Sequence, residues 1–160
     1  MAKRLDLLSA AIAASKIIHL PGFSDELPGW PDFAAHIKSS AARGDLDRRR
    51  LHYSRAPITE DDVSTHFTKI DKLRGQLSMA LDRKITPLNA YVNLAVGEES
   101  WPSHADPEDS IFFLCEGEVT WFLDDSTYKL TAGDVIFFPA GTMHQVEPLT
   151  PRAAFILGVD

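Results

Sequence analysis

His104 and Asp106, one residue apart in "WPSHADPEDS", and His144, in "GDVIFFPAGTMHQVEP", are the side chains of this sequence best suited to hold a metal ion together. In an extended segment residues i and i+2 project to the same side, so His104-Ala105-Asp106 offers a nitrogen and an oxygen to one point in space. A second strand must then deliver His144. Two neutral imidazoles and one hard carboxylate leave coordination positions open, which is the ligand set of non-haem Fe(II) centres that activate oxygen. A closed structural zinc site would require a fourth protein ligand. A His-x-Asp pair alone is common in sequences that bind nothing, so the weight rests on its surroundings.

The elements that must position these residues are short strands. "IFFLCEGEVTWFLDDSTYKLTAGDVIFFPAG" is a run of apolar segments broken at Glu116-Gly117, Asp124-Asp125-Ser126, Ala132-Gly133 and Pro139-Ala140-Gly141. That pattern predicts antiparallel strands joined by tight turns, with no helical period. Gly117, Gly133 and Gly141 are expected at positive φ or at close approaches, where a Cβ is costly. In "LNAYVNL" alternation puts Asn89, Tyr91 and Asn93 on one face and Leu88, Ala90, Val92 and Leu94 on the other. The polar and aromatic face either lines a cavity or looks at solvent.

The first half has a different texture. Leu5, Leu8, Ile12 and Ile17 fall near helical spacing, predicting an amphipathic helix over residues 2–18. Lys3, Arg4, Asp6 and Lys16 interrupt it, so it is too short and too charged to span a bilayer and makes a poor secretory signal. Pro31 suits the first turn of a second helix in "WPDFAAHIKSSAARG". A third is predicted from Thr59, where Thr59 and Asp62 read as a capping box ahead of Val63, Phe67, Ile70, Leu73 and Leu77. His19, His36, His52 and His66 lack ligand spacing and read as structural or surface residues.

Composition bounds the rest. The 160 residues, 44% hydrophobic, predict one domain, helical over 1–80 and a barrel over 86–160. Arg48, Arg49 and Arg50 invite a nucleic-acid reading, but 16 Lys plus Arg against 23 Asp plus Glu give a net charge of −7, which repels phosphate backbones. Pairing with Asp45 and Asp47 on a solvated face is the better account. The single Cys115 cannot form an internal disulfide, which predicts a reducing, cytoplasmic setting, and it reads as a small hydrophobe beside Phe113.

The motif region resembles the cupin superfamily. Gly133, five residues, Pro139-Ala140-Gly141, two residues and His144 match its second motif, while His104-x-Asp106, three residues, Ser110, six residues and Gly117 keep the spacing of its first. Fifteen residues, Glu118 to Ala132, separate the two. The resemblance implies a mainly β chain, a double-stranded β-helix (jelly-roll) barrel with the N-terminal helices packed outside. Two departures point further. Asp106 stands where many cupins carry a second His, and Ser110 where they carry a metal-binding Glu, so a three-His, one-Glu site is not available. His-x-Asp with a distal His instead resembles the JmjC and prolyl-hydroxylase-like branches, Fe(II) enzymes that use 2-oxoglutarate and O2, and "LNAYVNLAVGEESWPSHAD" resembles the Asn-x-Tyr strand that precedes the motif there.

That resemblance implies a fixed cation for the distal carboxylate of 2-oxoglutarate, ideally an arginine. The JmjC pattern places it two residues after the motif glycine, where this chain has Val119. The prolyl-hydroxylase-like pattern places it on the strand after the distal His. Arg152, eight positions after His144 and ahead of the apolar "AAFIL", is the candidate, with Lys129 in reserve. Tyr91, Asn89 and Asn93 are the candidate cosubstrate-binding neighbours. Related halogenases replace the carboxylate by a small residue, so Asp106 favours hydroxylation. Three classes stay open: an Fe(II), 2-oxoglutarate-dependent hydroxylase of a small metabolite or a peptide; a metal cupin that uses no 2-oxoglutarate, a dioxygenase, isomerase or lyase; and a non-enzymatic cupin that binds a small ligand. No nucleic-acid or membrane partner is expected, and a homodimer is compatible with the sequence.

Overall fold

The computed structural model describes residues 2–43, 58–60, 63–94, 96 and 102–160. Arg48 to Arg50, with Asp45 and Asp47, and also His52 and Asp62, lie outside the described residues. In chain order the elements are α1 (Ala2–Ala13), β1 (Ile18–Leu20), α2 (Trp30–Arg43), β2 (Ile58–Glu60), α3 (Thr68–Leu81), β3 (Asn89–Asn93), β4 (Asp109–Glu116), β5 (Glu118–Leu123), β6 (Ser126–Thr131), β7 (Val135–Phe138), β8 (His144–Pro148) and β9 (Arg152–Val159). A six-stranded antiparallel sheet runs in the order β1-β7-β4-β9-β3-β2, and a three-stranded sheet in the order β6-β5-β8. Among the described residues no helix is long and apolar enough to cross a membrane.

The period-2 alternation of the large sheet explains how both of its faces are dry. On β4, β7 and β9 one parity (Phe112, Leu114, Ile136, Phe138, Ala154) joins Val119, Trp121, Leu123, Leu130 and Val146 of the small sheet in one buried cluster. The two sheets therefore close face to face as a jelly-roll barrel. The other parity (Ile111, Phe113, Cys115, Val135, Phe137, Phe155, Leu157) packs with Leu8 and Ile12 of α1, Phe33 of α2 and Ile70, Leu73 and Leu77 of α3. Burying each of these large side chains stabilises by roughly 1.5–3 kcal/mol. The helices thus cover the outside of the barrel wall, as expected from the sequence.

The turns follow the expected backbone chemistry. Gly117, Gly133 and Gly141 sit at φ 88°, 94° and 78°, and Asp124 turns β5 into β6 at φ 47°. At Gly117 a Cβ would run into the Pro151 carbonyl, so glycine is required there for space as well as for φ.

The helix boundaries differ from expectation. α1 ends at Ala13, not residue 18, because Ile18-His19-Leu20 pair with Phe137-Ile136-Val135 as an edge strand. No helix begins at Thr59. That residue lies in β2 opposite Tyr91 of β3, and α3 begins at Thr68 with no side-chain cap. Leu94, which alternation groups with Leu88, Ala90 and Val92, is 64% exposed beyond the end of β3, whereas those three are buried. Asp134 secures the N-terminal strand: its carboxylate accepts from His19 Nε2 at 3.0 Å, from the Gly22 amide at 2.7 Å and from the Thr131 amide at 2.9 Å.

Candidate metal centre and cavity

His144 opens β8, and its backbone pairs with His104 through two amide bonds, His104 N–H to the His144 carbonyl at 3.1 Å and the reverse at 2.7 Å. His104 therefore lies on an isolated bridge at the edge of the small sheet rather than in a full strand. Asp106 follows, its carbonyl accepting the Gly141 amide at 2.9 Å, so backbone bonds tie the two motifs together at both His104 and Asp106. The three side chains converge as expected. Asp106 Oδ1 lies 3.8 Å from His104 Nε2, Asp106 Oδ2 lies 3.5 Å from His144 Nε2, and one ligand atom from each residue falls within 4.8 Å of the others.

The hydrogen bonds fix which nitrogens could bind. His104 Nδ1–H donates to the Pro102 carbonyl at 2.7 Å, and His144 Nδ1–H donates to the Thr142 carbonyl at 3.0 Å. A carbonyl can only accept, so both Nδ1 atoms carry the proton and both Nε2 atoms present lone pairs toward Asp106. Burial lowers the pKa of His144, and nearby His104 lowers it further; the Thr142 hydrogen bond and Asp106 oppose this. The net effect favours the neutral imidazole that a metal requires. Ligand bonds near 2 Å need donors within about 4 Å of one another. His104 and Asp106 are 46% and 39% exposed, so their side chains have room to close that small gap. The donor set fits a divalent metal with open positions.

Behind these three side chains lies a cavity of about 370 Å3, lined by Tyr91, Pro102, Phe112, Trp121, Gln145, Val146, Arg152 and Ile156 as well as by the trio itself. That volume suits a small molecule. Parity explains Arg152: on β9, Ala153, Phe155 and Leu157 face the helices, so Arg152 and Ile156 face the barrel. Arg152 is 1% exposed, opposite Asn93 of β3, with its guanidinium carbon 5.8 Å from the Phe112 ring centroid. Burial pulls its pKa down to about 10, with Tyr91 opposing, so it remains a cation at neutral pH.

The other candidates divide. Tyr91 lines the cavity; Asn89 and Asn93 do not, Asn93 being buried beside Arg152 at the strand end. Lys129 is exposed on β6 and lies outside the cavity lining. Val119 is fully buried in the barrel interior. Cys115 faces the helical layer, and burial, with Glu116 adding to it, raises its thiol pKa well above the usual value, which leaves it a poor nucleophile. The aromatic wall of Phe112 and Trp121, 5.0 Å apart, was not singled out from the sequence, although the parity of β4 and β5 carries that signal.

A cupin-domain family model matches residues 90–159. A comparison with curated protein sequences finds no match. Among solved structures, the ribosomal oxygenase YcfD from Escherichia coli, in complex with cobalt and 2-oxoglutarate, superposes with TM-score 0.72 at 15% identity, covering 91% of this chain and 48% of that one. The chain thus spans about half the length of that oxygenase. A prolyl-4-hydroxylase from Pseudomonas putida superposes with TM-score 0.64 at 15% identity, covering 97% of both chains. At these identities the likeness is one of fold. Among the described residues two antiparallel sheets close on a common interior with three helices outside, so the chain has a double-stranded β-helix, or cupin, fold, and residues 90–159 match the cupin-domain family model.

Proposed function

We propose that the protein is a non-haem Fe(II), 2-oxoglutarate-dependent dioxygenase that hydroxylates a small metabolite or a peptide. The observation that carries this reading is a single cavity that contains both an open His-Asp-His ligand set and one fully buried arginine. A metal held by one carboxylate and two imidazoles keeps positions for a chelating 2-oxo acid, and a dry guanidinium suits the far carboxylate of a five-carbon diacid. Bound Fe(II) would supply the redox chemistry that couples conversion of 2-oxoglutarate and O2 to succinate and CO2 with hydroxylation of a C–H bond.

The residues of the chain have four tasks in that scheme. His104 and His144, locked in one tautomer by Pro102 and Thr142, and Asp106 would hold the metal. Arg152 orients the cosubstrate with little competition from water, because its site is dry. Tyr91 lines the cavity on the strand beside it. Phe112, Trp121, Val146 and Ile156 exclude water from the reacting centre.

A second reading rests on Val119, which replaces the basic residue of one 2-oxoglutarate branch with a buried aliphatic side chain. In that reading the site is a metal cupin whose own anionic substrate takes Arg152. The two are separated by incubating protein reconstituted anaerobically with Fe(II) with labelled 2-oxoglutarate under air. Release of CO2 and succinate, abolished in Arg152→Ala, is the expected result. Intact 2-oxoglutarate, together with no change in thermal stability when 2-oxoglutarate is added to the metal-loaded protein, would refute the first reading in favour of the second.

A further inference from the structure

One carboxylate outside the ligand set touches both halves of the metal site. Asp109 begins β4, three residues after Asp106, and is 8% exposed. Its Oδ1 accepts the Ala140 amide at 2.9 Å, and its Oδ2 accepts from Arg83 Nη1 at 3.0 Å. Ala140 sits in the turn that leads to His144. The next residue, Gly141, at φ 78°, donates its amide to the Asp106 carbonyl at 2.9 Å. The residue after that, Thr142, is held by its own hydroxyl and amide to the Pro139 carbonyl and supplies the carbonyl that fixes the His144 tautomer. Arg83, just past α3, also donates to the carbonyls of Val159 and Asp160 at the end of β9.

We propose that Asp109 is a positioning residue of the metal centre, pinning the Pro139–Thr142 turn so that the Nε2 lone pair of His144 meets Asp106. This inference rests on His104, Asp106 and His144 holding a metal. Asp109 is not among the residues grouped to hold the ion, and its two oxygens are committed to Ala140 and Arg83. The two bonds divide the labour: the Ala140 bond sets the ligand loop, and the Arg83 pair ties that loop to the helical layer and to the C-terminal strand. Groups that orient metal ligands from behind change metal affinity by about 10–100-fold when removed.

The test uses Co(II) as the probe, with its dissociation constant and visible absorption spectrum as readouts. Asp109→Ala, still folded by circular dichroism, is expected to bind Co(II) about tenfold or more weakly than wild type and with an altered spectrum. Arg83→Gln keeps the Ala140 bond and is expected to keep the wild-type spectrum and an affinity within about twofold, even where its thermal stability falls. Should Asp109→Ala not fold, Asp109→Leu decides: it keeps the volume of the side chain but offers the Ala140 amide no acceptor, so weakened Co(II) binding is expected. Wild-type affinity and spectrum in the deciding Asp109 variant, or equal impairment in Arg83→Gln, overturns the positioning role and leaves the metal site standing. Failure of the wild-type protein to bind Co(II) overturns both.

Discussion

Replacing Arg152 with methionine separates a residue kept for binding from one kept for packing. The guanidinium is 1% exposed, and burial holds its pKa at about 10, well below the ordinary arginine value. At about 1.36 kcal/mol per pH unit, that difference corresponds to roughly 3 kcal/mol of unfavourable burial. At pH 7–9 the side chain is protonated in the folded and the unfolded chain alike, so the penalty is carried in full. Methionine matches the length of the aliphatic stem and needs no solvation, and exchanging buried ionic groups for apolar ones of similar volume is often neutral or stabilising, by up to about 4 kcal/mol. Arg152→Met without metal is therefore expected to melt no lower than wild type, and higher by roughly 2–4 °C for each kcal/mol gained at this chain length. The same variant is expected to lose the stabilisation that wild type gains from 2-oxoglutarate in the presence of Zn(II). Calorimetric melts with and without ligand measure both. A variant less stable by about 2 kcal/mol or more, the cost of an ordinary core truncation, and still stabilised by 2-oxoglutarate would refute the argument, because Arg152 would then serve packing alone.

Other outcomes follow from the same geometry. Asp106→Ala removes a half-exposed carboxylate proposed as a ligand, so metal-free stability is expected to change by no more than about 0.5 kcal/mol while metal affinity, read by calorimetric titration, collapses. Cys115, with its raised pKa and buried sulfur, is expected to resist iodoacetamide at pH 8 until denaturant unfolds the chain, as mass spectrometry would report. Gly117→Ala forces a Cβ against the Pro151 carbonyl at φ 88°. A loss of about 1–3 kcal/mol in urea melts is expected, with weakened ligand binding, because Pro151 immediately precedes Arg152.

The barrel was legible because its constraints are local. Glycines at positive φ, turn residues at fixed offsets and the His-x-Asp spacing declare themselves over a few positions, and Gly117, Gly133 and Gly141 adopt the backbone they were assigned. The inward side of Arg152 follows from its place on a strand whose other parity is apolar. The helical half was read less well wherever a distant partner decided the outcome. Ile18 left the helical pattern for β7, and Thr59 left a capping pattern for β3, pairings across 119 and 32 positions that local propensity does not encode. Asp109 was passed over for a similar reason. Next to Pro107 and Glu108 it looks like turn polarity, and its meaning appears only when Ala140 and Arg83 arrive from other parts of the chain.

Strand β9 carries two messages in one stretch of eight residues, Arg152, Ala154 and Ile156 to the barrel interior and Ala153, Phe155 and Leu157 to the helices. A single deletion in the Leu149–Pro151 connection that shifted this strand by one position would exchange the two sets at a stroke. The guanidinium would be driven among the phenylalanines, and two bulky side chains would fill the space meant for a ligand. The reading frame of that one strand is therefore where foldability and ligand binding would be lost together.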